Sequence, residues 1–265
     1  MAESPESKSP VDKPVDQAVD KIVRLDYAER WFGDAFREID PPGGFASVDV
    51  DVTVAQKLVD TLRAKNVPAT LNHVFVRAAS QVLFASPDLH ILVAGNRRLH
   101  PAQVDIGLSV GGETSFAPVM VIENSSGKSV EALSLEVARR IPEIREKEQK
   151  DLAFMRRIGA LIPFSFLRRL IVRWLLRSTR FRRKLSGTFQ VSCLTTDVVV
   201  PFLFNTAATL GVGRARDRVV PISGLPAIRP IVTITCAIDH KVWDGVRAAK
   251  LLLWIKKLVE AGEVS

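Results

Sequence analysis

Hydrophobic positions alternate with polar ones in some stretches of this chain and recur every three or four residues in others. Ser47-Val48-Asp49-Val50-Asp51-Val52 alternates strictly and predicts a half-buried strand. Val54, Leu58 and Leu62 then recur at helical spacing. A second helix is predicted over 71–83, opened by Thr70 or Asn72 as its cap. Strands are predicted over 104–110 and 117–123. Val130, Leu133, Val137, Ile141 and Ile144 form the apolar stripe of a long charged helix from Ser129 to about Lys150, with Pro142 placed to kink it. Strands follow over 188–194, 206–212 and 228–238, the last apolar enough for a buried central strand. A helix over 244–261 closes the chain. Strands and helices mix without regular alternation, which predicts an α/β or α+β domain on a mixed sheet rather than a doubly wound fold.

Composition sets the limits of that domain. Residues 1–21 are mostly Pro, Ser, Asp, Glu and Lys, with almost nothing to bury, and predict a disordered tail ahead of one domain over 22–265. The 265 residues are 47% hydrophobic and 25% charged, as in ordinary globular proteins. Two cysteines, Cys193 and Cys236, build no disulfide framework, and no apolar run reaches the length of a membrane span; both point to a cytoplasmic protein. The net charge of +8 suits nucleic acid or an anionic small ligand equally. It is concentrated in an insertion at about 150–186: Phe154 to Lys184 carries ten basic residues and no acidic one. Leu167, Leu170, Ile171, Trp174 and Leu175 fall there at helical spacing, with Arg169, Arg173 and Arg177 on another face. That pattern is a basic amphipathic helix. It suits peripheral contact with an anionic membrane through 154–184, or packing against the protein's own core. No recognised binding fold accompanies it, which argues against nucleic acid.

Histidine is scarce, at His73, His90, His100 and His240. Only His240 follows a predicted buried strand and precedes a helix, where a side chain is both rigidly placed and accessible. Asp239 and Asp244 flank it, and Gly245 lets the backbone turn closely. Spacing leaves two readings open: a general base with carboxylate support, or a structural histidine. No metal site is predicted.

The segment Asp239-His240-Lys241-Val242-Trp243-Asp244-Gly245 resembles the His-x-x-x-Asp-Gly signature of chloramphenicol acetyltransferases and of the catalytic domains of 2-oxoacid dehydrogenase acyltransferases, with Lys241 where the latter carry Arg. Gly187-Thr188-Phe189-Gln190-Val191-Ser192, Ala208 to Arg214, and Val104 to Val110 with Pro118-Val119 resemble further motifs of the second family, in its order, over about Leu25 to Glu260. The resemblance implies a chloramphenicol acetyltransferase-like two-layer sandwich that forms trimers with active sites at subunit interfaces. It implies a coenzyme A-dependent acyltransferase with His240 as base and Ser192 as oxyanion donor. Asp244 would be a clamp paired with an N-terminal arginine, Arg30 or Arg37, with Gly245 supporting the turn. Coenzyme A or acyl-CoA is the implied substrate; the residues that bind it are not assigned.

Departures shape three alternatives. About 20 residues stand where the complex-forming proteins carry a lipoyl domain, so no lipoyl group is expected on this chain, and the apolar C-terminal anchor of the large cores is absent. These favour a stand-alone trimeric transferase. A shortened core component acting on lipoyl groups of another chain, or a catalytically idle trimeric scaffold, are the other readings. The resemblance adds a third role for the basic segment, as cover over a substrate entrance.

Overall fold

A computed structural model describes residues 21–24, 43–94, 97–110, 118–161, 170–171, 174–193, 199, 201 and 206–264, with the backbone alone at 21 and 151–161. Among the described residues ten strands form two sheets. The small sheet joins β1 (Lys21–Arg24), β4 (Arg97–His100) and β3 (Leu92–Ala94). The large one runs β2 (Gly43–Asp51), β10 (Leu225–Asp239), β8 (Ala208–Val212), β7 (Phe189–Cys193), β5 (Ile106–Ser109), β6 (Val119–Ile122). β7 is parallel to both β5 and β8, and the other pairings are antiparallel, so the sheet is mixed as the sequence predicts.

β10 is the longest strand because it serves three partners. Its C-terminal part lies between β2 and β8, while Leu225–Ile231 pairs with β9 (Arg216–Ile222) in a hairpin that runs on past them. From Ile231 onward β10 is almost entirely buried, and β8 is buried throughout. Helices α1 (Thr53–Ala64), α2 (Leu71–Ala85) and α5 (Gly245–Ala261) pack together, with α5 against β2 and β10. Leu251, Ile255, Phe75 and Leu83 join Ile234 and Leu210 in the core between the layers.

Local chemistry fixes the helix ends. Thr70, not Asn72, caps α2, and its amide donates to Nδ1 of His73 at 3.2 Å. Helix α3 (Val130–Leu161) holds Pro142 inside it and runs well beyond Lys150. In the basic segment Leu170 and Ile171 are helical, as the amphipathic pattern predicts. Residues 174–176 are helical, Arg177 turns, and Ser178 starts a new helix, α4 (Thr179–Ser186), its hydroxyl accepting the Phe181 amide at 3.3 Å. A serine that caps the next helix ends the one before it. Residues 162–169 and 172–173, with Arg169 and Arg173, lie outside the described residues, as do residues 1–20 of the expected tail; Lys21 already opens β1.

α4 is bound to the fold by its arginines. Arg183 Nε meets Oδ2 of buried Asp105 at 2.6 Å, and Oδ1 of Asp105 accepts the Asn124 amide at 3.0 Å. Arg182 donates to the carbonyls of Val93 and, at 2.8 Å, Leu176. The junction into β7 then passes so close to β5 that two glycines are required. A Cβ on Gly107 would stand 2.2 Å from the Ser186 carbonyl oxygen. Gly187, at φ +71°, lies in the left-handed region, and its Cβ would stand 2.4 Å from the Asp105 carbonyl.

Candidate active site

The turn after β10 is built by Asp239. Its carbonyl accepts the amides of Val242 and Trp243 at 2.9 and 3.0 Å, and its Oδ1 accepts the Lys241 amide at 3.1 Å. Lys241 Nζ stands 3.7 Å from Oδ2 of the same carboxylate. The amide of Asp239 donates to Ala207, closing the end of β8 onto β10. Trp243 is buried and faces Phe189 with ring centroids 6.5 Å apart, pinning the far side of the turn to the start of β7. His240 is the residue this scaffold leaves outside. Of the four histidines it alone is exposed, and its ring carbon Cδ2 would lie 3.5 Å from a Cβ on Gly44 of β2.

The other histidines serve the fold. His73 accepts from the α2 cap and lies 2.9 Å from the Ser134 hydroxyl, and burial pushes it down to about 4. His90 bonds the Thr188 hydroxyl at 2.7 Å; burial, then Arg183 and His100, pushes it down to about 3. Burial pushes both thiols, Cys193 and Cys236, up to about 12, so neither is a ready thiolate at neutral pH. Among the described residues no cluster of three or more His, Cys, Asp or Glu is placed to hold a metal ion.

Asp244 caps α5. Oδ1 accepts the Arg247 amide at 2.8 Å and Oδ2 meets Arg247 Nη1 at 3.2 Å. Arg30 and Arg37, the expected partners, lie outside the described residues. Gly245 opens α5 with no positive φ, and among the described residues a Cβ there would meet nothing within 4 Å, so no close approach among them explains this glycine. Asp239, left without a role by sequence reasoning, makes more hydrogen bonds to the histidine turn than Asp244 does. Its only sequence signal is adjacency to His240.

Ser192 lies on β7, half-buried, paired with Gly211 of β8, which pairs in turn with Thr235 of β10. From Thr235 to the strand end at Asp239 is roughly 13 Å at about 3.3 Å per residue, and two interstrand steps add about 10 Å across. Within one chain, therefore, the sheet holds Ser192 and His240 apart. A cleft of about 770 Å³, lined by Asp49, Arg218, Arg229, Lys256 and Glu260 among others, sits at the hairpin end of β10, away from His240. Its charges are largely paired, Arg218 with Asp49 at 2.7 Å and Lys256 with Glu260 at 2.6 Å.

Residues 187–264 match the family model for the 2-oxoacid dehydrogenases acyltransferase (catalytic domain). This C-terminal stretch is similar to that family's catalytic domain. The matched stretch spans β7 to α5 and holds Ser192, Asp239, His240, Asp244 and Gly245 together. A curated relative, the dihydrolipoyllysine-residue acetyltransferase component of the pyruvate dehydrogenase complex of Zymomonas mobilis, is 24% identical over 223 residues, 83% of this chain and 44% of that protein. The chain thus spans less than half the length of that relative. The fold is that of these catalytic cores. The dihydrolipoamide acetyltransferase of Azotobacter vinelandii superposes with a TM-score of 0.65 at 19% identity over 90% of each chain. A chloramphenicol acetyltransferase superposes at 0.51 with 11% identity over 91% of this chain and all of that one.

Proposed function

We propose that this chain is a coenzyme A-dependent acyltransferase in which His240 is the general base. The observation that carries the reading is the exposed imidazole on a turn pinned by Asp239 and Trp243, inside the segment that matches the acyltransferase family. The imidazole removes the proton of an acceptor thiol, hydroxyl or amine as that atom bonds to the acyl carbonyl carbon. The carbon–sulfur bond to coenzyme A then breaks, and the proton returns to the departing thiolate. A base so placed is worth about 10² to 10⁴ in rate. Ser192 supplies a hydroxyl to the tetrahedral oxyanion, a donor worth about 2.7–4 kcal/mol of barrier.

The separation of Ser192 from His240 within one chain gives this mechanism a condition. The serine that serves a given His240 belongs to a neighbouring copy, in a homotrimer with sites at its interfaces. Cyclic trimers place one surface of each subunit against a different surface of the next, which is the arrangement such a composite site needs. His240→Ala tests the reading: release of coenzyme A from acetyl-CoA with a thiol acceptor is expected to fall by at least about 10². Undiminished release by the variant would sink it.

A second reading follows from the relative's name: a core component of a 2-oxoacid dehydrogenase complex that acts on lipoyl groups carried by another chain. Co-purification with lipoyl-bearing partners would favour it, and a trimer that runs alone would favour the stand-alone enzyme.

A further inference from the structure

The fold divides the basic segment into two sets of charges. Arg182 and Arg183 are occupied inside, on the carbonyls of Val93 and Leu176 and on Asp105. Arg177, Arg180 and Lys184 are exposed. In the same segment three large apolar side chains stand in solvent, Trp174 72%, Leu170 59% and Ile171 39% exposed, and with Arg177 they line a groove of about 490 Å³. Burying Trp174 would be worth far more to this chain than leaving it exposed, yet the break at Ser178 holds α4 to the body while Trp174 remains exposed.

A tryptophan and two aliphatic side chains, edged by cations and free of acidic residues from Phe154 to Lys184, match one kind of surface in both polarity and charge. In an anionic bilayer the indole sits at headgroup depth, the aliphatic groups reach the acyl boundary, and the cations meet lipid phosphates. A nucleic acid would use the same cations, but it reads through aromatic platforms and polar donors, and this groove offers one aromatic ring among aliphatics. Among the described residues no helix is long and apolar enough to cross a membrane, so the contact is at the surface.

We propose that the face formed by Leu170, Ile171, Trp174, Arg177, Arg180 and Lys184 docks on an anionic phospholipid surface. The inference does not depend on the acyl-transfer reading.

The full chain is sedimented with vesicles of phosphatidylcholine alone and of phosphatidylcholine mixed with phosphatidylglycerol. Binding is expected only to the mixed vesicles. Arg177→Gln, Arg180→Gln and Lys184→Gln are each expected to weaken it about fivefold, and Trp174→Ser about tenfold. These side chains are exposed, and circular dichroism is expected to be unchanged in all four. Equal binding to both vesicle types, or full binding by Trp174→Ser, would overturn the proposal. A change of oligomeric state in Trp174→Ser with no vesicle binding by the parent chain would assign the face to a second copy instead. Binding to a single-stranded RNA that the charge variants abolish and Trp174→Ser spares, without vesicle binding, would assign it to nucleic acid.

Discussion

Ser192 stands level with Thr235 across β8, both paired with Gly211, while His240 lies five positions further along the chain from Thr235. A composite site between copies has a quantitative consequence. His240→Ala and Ser192→Ala chains, each inactive alone, are co-expressed with different tags and isolated as mixed oligomers. A site is intact only when its histidine comes from the Ser192→Ala chain and its serine from the His240→Ala chain, so each mixed cyclic trimer holds one intact site in three and about a third of wild-type activity is expected. No recovery in verified mixed oligomers would place both groups in one chain or remove Ser192 from the reaction.

Asp239 builds the turn that carries His240. Replacing it with Ala removes the acceptor for the Lys241 amide and the partner of Lys241 Nζ but leaves the backbone bonds to Val242 and Trp243. One turn hydrogen bond is worth about 0.5–1.5 kcal/mol, so denaturation should shift modestly. Activity should fall further than stability, and Asp239→Asn should recover part of it, because the amide oxygen still accepts the Lys241 N–H. A variant with wild-type turnover would show that the turn holds the ring without this carboxylate.

The strands and helices of the core were legible because burial writes itself into period: β2 alternates, β8 and β10 from Ile231 to Ile238 are mostly apolar, and α1, α2 and α5 repeat at helical spacing. The β9–β10 hairpin was not fully legible. Among the described residues β9 pairs with β10 alone, most of its residues face solvent and no apolar rhythm appears, and Pro221 and Pro226 sit opposite each other near its tip, where proline argues against a strand. His240, Asp244 and Ser192 could be singled out from the sequence because each lies in a short local motif. The Asp105–Arg183 pair was not, since 78 residues separate its members and composition cannot tell an arginine bound inside from one that faces solvent.

His73 and His90 give the fold an acid-side slope. Their unfolded value is 6.5, and burial lowers them to about 4 and about 3 in the fold. The fold therefore favours the neutral rings. Their contribution is complete above about pH 6.5 and is lost as pH falls from there toward the folded values. Each adds up to about 1.4 kcal/mol per pH unit once its unfolded form is charged. Urea denaturation between pH 6.5 and 5, above the usual carboxylate range, should show stability falling as pH falls. His90→Gln should reduce that slope by about half while lowering stability overall through the lost bond to Thr188. An unchanged slope would mean that His90 does not titrate differently in the two states.

Glycine separates what the single chain demands from what its surroundings demand. Gly107 and Gly187 face the junction between α4 and β7 at distances no Cβ tolerates, 2.2 Å to the Ser186 oxygen and 2.4 Å to the Asp105 oxygen. Both neighbours are backbone and cannot swing aside, so Gly107→Ala and Gly187→Ala should each cost about 3 kcal/mol or more, or abolish soluble expression. Gly245 has open space around it, and Gly245→Ala should melt within about 0.5 kcal/mol of the wild type. Its activity is then the informative measurement. Normal folding with lost turnover would locate the need for glycine outside the chain, against substrate or a neighbouring copy, five residues after His240. Normal folding with normal turnover would leave Gly245 no role beyond opening α5. A Gly107→Ala protein that melts like the wild type would show instead that the α4–β7 junction can shift away from β5.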